Sequence, residues 1–121
     1  RALADSEPTH IDFRNKVYIA PLTTVGNLPF RRICVDFGAD ITCSEMVLAH
    51  NLLKSQASDW ALIRRHPSEK VFGVQFAVRR EEARAVCELA RREMSVDFVD
   101  LTAVSIPVEL AKYVPRSIAK Q

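Results

Sequence analysis

This sequence offers little to a disulfide framework, a membrane span or a metal site. Its three cysteines, Cys34, Cys43 and Cys87, are an odd number, widely spaced, and each sits inside an apolar periodic segment. With no CxxC pair, they read as reduced core residues of an intracellular protein, cytoplasmic or nuclear. His10, His50 and His66 share no ligand spacing, so no metal is expected. No apolar run approaches the roughly 20 residues of a membrane helix, and no charged-then-apolar leader opens the chain. Lys plus Arg number 17 against 15 for Asp plus Glu, a net charge of +2. That balance excludes a bulk positive field for nucleic acid and an acidic disordered tail alike; a basic partner surface must be local.

What is present is one core's worth of alternating strand and helix signals. At 121 residues and 48% hydrophobic content, the chain suits a single domain or a piece of one. The stretch 16–45 organises the rest. Residues 17–20 form a short apolar run halted at Pro21, and Thr23, Thr24, Gly26 and Asn27 make a polar loop. Pro29 sits where a first helical turn tolerates a missing N–H; Gly38 stops the helix, and residues 39–43 resume as strand. Helix-like spacing over 46–53 and 58–65 follows, with Ser58 or Asp59 as N-cap and Arg64 and Arg65 in the last turn of the second helix. Residues 71–77 read as a strand buried on both faces, Val71, Gly73 and Gln75 on one side and Phe72, Val74 and Phe76 on the other. The clearest helix is 80–94, with Ala83, Val86, Cys87, Ala90 and Met94 on one stripe and Glu88 and Arg92 paired at i,i+4. A strand over 96–101 completes the series. Strand alternating with helix gives an α/β class with a parallel sheet. Asp97 and Asp100 lie three apart in a strand, on opposite faces, which argues against paired acid–base work.

At Ala20-Pro21-Leu22-Thr23-Thr24, then Gly26-Asn27-Leu28-Pro29-Phe30-Arg31-Arg32, the sequence resembles the tRNA-dihydrouridine synthases, most closely the eukaryotic branch acting on the variable loop. The likeness continues through Phe37-Gly38-Ala39-Asp40-Ile41-Thr42-Cys43-Ser44-Glu45-Met46, Asn51-Leu52-Leu53, Trp60-Ala61-Leu62, Phe72-Gly73-Val74-Gln75 and Val96-Asp97-Phe98-Val99-Asp100. The resemblance implies the N-terminal half of a TIM (β/α)8 barrel, about four parallel strands with helices, because a whole barrel needs about 250 residues. It implies FMN at the C-terminal mouth of the strands, NADPH or NADH as reductant, and a uridine of tRNA as substrate. Pro21, Leu22 and Thr23 would line the flavin, and Gln75, donor and acceptor in one group, would hydrogen-bond its ring.

The likeness ends where proton donation is expected. Where the family carries Asn, Gly, Cys and Pro, this chain reads Thr102-Ala103-Val104-Ser105-Ile106-Pro107, so Ser105 or Ile106 occupies the cysteine position and no catalytic residue is assigned. A hydroxyl, with a pKa far above a thiol's roughly 8.5, is a poor general acid there. The organisation expected is an extended lead-in over 1–15, a partial FMN-binding barrel domain over 16–101 and a divergent tail over 102–121. Such a fragment is inactive alone and is prone to self-association through open sheet edges. The alternative is a truncated, non-catalytic interaction module or a product without function. A stand-alone flavodoxin-like domain is disfavoured by the missing Gly-rich phosphate loop.

Overall fold

A computed structural model describes residues 10–102. The expected tail from residue 103 on, with Ser105 and Ile106, lies outside the described residues. Helix α1 (Leu28–Asp36) opens because the Asn27 side chain accepts a hydrogen bond from the Phe30 N–H at 3.0 Å and Pro29 occupies the first turn. It closes at Phe37, and Gly38 follows with φ +102°, a left-handed conformation that suits glycine. Strand β1 (Ile41–Leu48) leads to α2 (Ala49–Leu53) and α3 (Ala57–Leu62). Strand β2 (Val71–Ala77), helix α4 (Ala83–Glu93) and strand β3 (Phe98–Thr102) complete the order. The strands form one parallel sheet, β1-β2-β3, the mixed α/β architecture the sequence implied.

Four differences from the sequence reading have physical causes. Residues 17–20 contribute a single parallel bridge, Tyr18 to Ile41, where a full strand was expected. Backbone bonds join Val17 and Ile19 to Ile41, but Pro21 has no N–H to extend the ladder. Residues 46–48 are strand, not helix: Met46, Val47 and Leu48 pair with Gln75, Phe76 and Ala77 beyond a bulge that accommodates Ser44 and Glu45. Pairing with a buried neighbour overrides their local helix preference. Helix α3 starts after Gln56 without a side-chain cap, so Ser58 and Asp59 lie in its first turn and Arg64 and Arg65 lie past its end. On α4 the i,i+4 ion pair is Arg84 with Glu88, at 3.0 Å.

The sheet separates two apolar clusters. On one face Phe72, Val74 and Phe76, each 0% exposed, pack with Val86, Cys87, Ala90 and Met94 from the α4 stripe and with Leu52 and Ile63. On the other, Ile41, Cys43 and Phe98 meet Val71, Ile11 and Phe13. Among the described residues ahead of position 16, Ile11 and Phe13 thus pack against this second face. The Phe98 ring fills the space that a side chain at position 73 would take, so a Cβ on Gly73 would collide with it. Among the described residues, no helix is long and apolar enough to cross a membrane.

One buried ion pair ties these parts together. Arg31 of α1, 1% exposed, donates through Nε to Glu69 Oε2 at 3.0 Å, through Nη1 to the Gly26 carbonyl at 3.0 Å and through Nη2 to the Arg64 carbonyl at 2.6 Å. Glu69, 2% exposed, also accepts from the Thr42 hydroxyl and the His66 N–H. The guanidinium lies 4.9 Å from the centroid of the Phe72 ring. Removing one member strands the other's charge in a low-dielectric interior. Glu69→Ala is expected to destabilise the fold by about 3–5 kcal/mol and Thr42→Val by about 1 kcal/mol, as read from denaturant unfolding.

Candidate functional site

The parallel register decides which side chains share a face. Gln75 stands opposite Asp100 on β3 and Met46 on β1, on the face away from the Phe72, Val74 and Phe76 core. Its Nε2 donates to Asp100 Oδ2 at 3.3 Å, and its backbone N–H reaches Ser44 Oγ, also at 3.3 Å. The Ser44 hydroxyl is held in turn by the Glu45 carbonyl, at 3.0 Å. A carboxylate only accepts, so Asp100 takes the donor half of the amide and turns Oε1 elsewhere. The bulge between Cys43 and Met46 makes this possible, because it brings a side-chain oxygen to a backbone N–H where a ladder carbonyl would stand.

Pro21, Leu22 and Thr23 follow the segment bridged to β1, and Gln75 lies on β2, so β1 separates them. Two strand spacings amount to about 10 Å. These residues are thus distributed along one end of a parallel sheet; the structure does not bring them into a single cluster. Between them lie Met46 and Leu48, 37% and 52% exposed, with Leu22 at 43%, an apolar floor beside the amide. Pro21 is half-buried and Thr23 exposed. The loop turns sharply: Gly26 N–H donates to the Leu22 carbonyl at 2.7 Å, and Thr24 takes φ +68°, a left-handed value uncommon for a residue other than glycine. A planar amide, exposed loop hydroxyls and an apolar floor match the edge and face of a flat heteroaromatic ring; the donor set fits a flavin.

Asp97 and Asp100 do different work, as the spacing suggested. Asp97 accepts from the Phe72 N–H and from Arg65, both at 2.9 Å, while Asp100 faces Gln75. Sequence reasoning missed the Arg31, Glu69 and Thr42 network. One signal was available: Arg31 shares its helical stripe with half-buried Cys34 and Val35, a charged residue on an inward face.

Cys43 and Tyr18 adjoin each other beneath the mouth. Burial pushes the Cys43 thiol up to about 12, and the Asp100 carboxylate adds to the rise. Burial also raises the Tyr18 phenol, with Cys43 and Asp100 acting in the same direction. Cys87, buried under α4, is pushed up to about 11. These thiols stay protonated and inert at neutral pH. Iodoacetamide at pH 8 is expected to label half-buried Cys34 first and to reach Cys43 and Cys87 only on unfolding, as mapped by peptide mass. Because both folded values lie above the unfolded thiol's roughly 8.5, their contribution to stability is complete below that pH. It is lost as pH rises toward 11 and 12, so the denaturation midpoint should fall over that window.

Comparison with known proteins gives this arrangement a context. The family model described as Dihydrouridine synthase (Dus) matches residues 18–103. A Xenopus tropicalis protein named "tRNA-dihydrouridine(47) synthase [NAD(P)(+)]-like" is 54% identical over 109 residues, covering 89% of this chain and 17% of its own length. Proteins of the same name from Oryza sativa subsp. japonica and Homo sapiens are 58% and 50% identical, over 83% and 89% of this chain and 15% and 17% of their own lengths. The chain therefore spans about a sixth of the curated relatives it matches. Both the Gln75 strand and the Pro21 loop lie inside the matched region, and the chain belongs to the dihydrouridine synthase family.

Proposed function

We propose that this chain forms part of the cofactor cradle of an enzyme that reduces a specific uridine of tRNA to dihydrouridine, with FMN as cofactor and NADPH or NADH as reductant. The observation that carries the reading is the Gln75 amide, oriented by Asp100 on the sheet face opposite the helices. FMN would supply the hydride for the uracil ring. Gln75 would hold the ring, accepting through Oε1 and donating through its remaining N–H. Pro21 and Leu22 would supply apolar surface that excludes water, and Thr23 a hydroxyl and backbone groups at the rim. A proton must also reach the uracil, and the family's thiol has no counterpart here because Ser105 or Ile106 stands at its position. The chain by itself accordingly holds cofactor without turning over uridine. Val17, 55% exposed on the open edge of the sheet, also suits self-association.

Titrating FMN with the purified chain should give weak, saturable quenching of flavin fluorescence. Gln75→Leu should raise the dissociation constant roughly tenfold through loss of its hydrogen bonds. A flat titration, or equal affinity for the two proteins, overturns the cradle. Incubation with FMN, NADPH and tRNA should yield no dihydrouridine by nucleoside mass analysis, and product there would show that a thiol is dispensable.

A further inference from the structure

We infer that Arg31 is a positioning residue for the cofactor loop, setting the shape of residues 22–26; this rests on the flavin reading of Pro21, Leu22 and Thr23. Three links run from the buried pair to the loop surface. Glu69 fixes the guanidinium through two contacts, Nε at 3.0 Å and Nη2 at 3.4 Å. The guanidinium holds the Gly26 carbonyl through Nη1 at 3.0 Å. The Gly26 N–H, in turn, holds the Leu22 carbonyl at 2.7 Å. Leu22 is therefore two hydrogen-bonded steps from a side chain that is itself 1% exposed.

The chemistry at each link is demanding. Gly26 is buried, and a Cβ there would lie 2.8 Å from the Leu22 carbonyl oxygen, a backbone atom that cannot swing aside. Arg31 directs four hydrogen bonds to a carboxylate and to two backbone carbonyls in different segments, Gly26 and Arg64. A lysine has the charge to answer Glu69 but lacks the planar fork that reaches both carbonyls. Stability alone does not call for such a group, because a buried ion pair is often no more stabilising than apolar residues of similar volume. What the fork adds is a fixed distance between the Gly26 turn and the rest of the fold, and with it a preformed loop that need not be ordered when a ligand arrives.

Two variants of the full chain test this by different routes. Arg31→Lys keeps a charge beside Glu69 and removes the fork, whereas Gly26→Ala leaves the ion pair intact and breaks the turn from the loop side. In each, amide hydrogen exchange at Gly26 and Asn27 is expected to speed up by roughly tenfold or more, with exchange at Val74 in β2 unchanged, and the FMN dissociation constant should rise by a similar factor. Exchange that rises equally at Gly26 and Val74 would mean a general loss of stability and overturns the inference, as does an unchanged Gly26. Faster Gly26 exchange with unaltered FMN affinity overturns it too, since the loop's shape would then not serve binding. Absence of FMN binding by the unsubstituted chain is a separate result: it removes the flavin reading, while the exchange measurement still decides whether Arg31 orders the loop.

Discussion

The buried contact between Arg31 and Glu69 is the constraint on which the other parts of this structure depend. An arginine and a glutamate this far from water are tolerated only if nearly every donor and acceptor is met, and here they are met by groups from separate pieces of chain. Gly26 and Arg64 contribute carbonyls, Thr42 a hydroxyl and His66 an N–H. Helix α1, the start of β1, the loop before β2 and the turn after Leu22 are thereby held in one arrangement. Apolar packing alone would allow the helix to slide along the sheet. A polar network with fixed directions does not.

The two faces of the sheet follow a division of labour set by residue size. Large side chains from β2 point toward the helices and meet small or branched partners on α4, giving a dense layer. The reverse face carries Gly73, half-buried Gln75 and Val71, which leaves room for the Phe98 ring at one end and for an open floor at the other. Phe98 is flanked edge-on by Phe13 and Tyr18, at centroid distances of 6.1 and 6.0 Å. That aromatic plug fills the end of the face away from the mouth. Buried Cys43 belongs to the same cluster.

Much of this was legible in the sequence because it depends on local periodicity. The alternation over 71–77 and the stripe on α4 have periods of two and 3.6 that survive folding unchanged, so the faces of β2 and α4 match their expected composition. The Pro29 and Gly38 punctuation of α1 was legible for the same reason, whereas the Asn27 cap, read only as a loop residue, was not. Residues 46–48 were not, since Met, Val and Leu fit either period and only pairing with Gln75, Phe76 and Ala77 decides. Arg31 and Glu69 are 38 positions apart, and no short-range pattern joins them. The candidate cradle divides along the same line. Its members were recognisable from motif resemblance, but the contacts that aim them, Asp100 and Ser44 on Gln75 and Arg31 on the loop, arise only in three dimensions.

The bulge in β1 links two positions that sequence distance would treat as independent. Because the Gln75 backbone is answered by the hydroxyl of Ser44, an alanine at 44 would leave an interior N–H without its partner and release the strand segment that carries the amide. Threonine could keep the oxygen, whereas most other replacements could not. The hydroxyl answers a main-chain N–H that any residue but proline would supply, so the constraint falls on position 44 and leaves the side chain at 75 free to be chosen for what it meets on the open face.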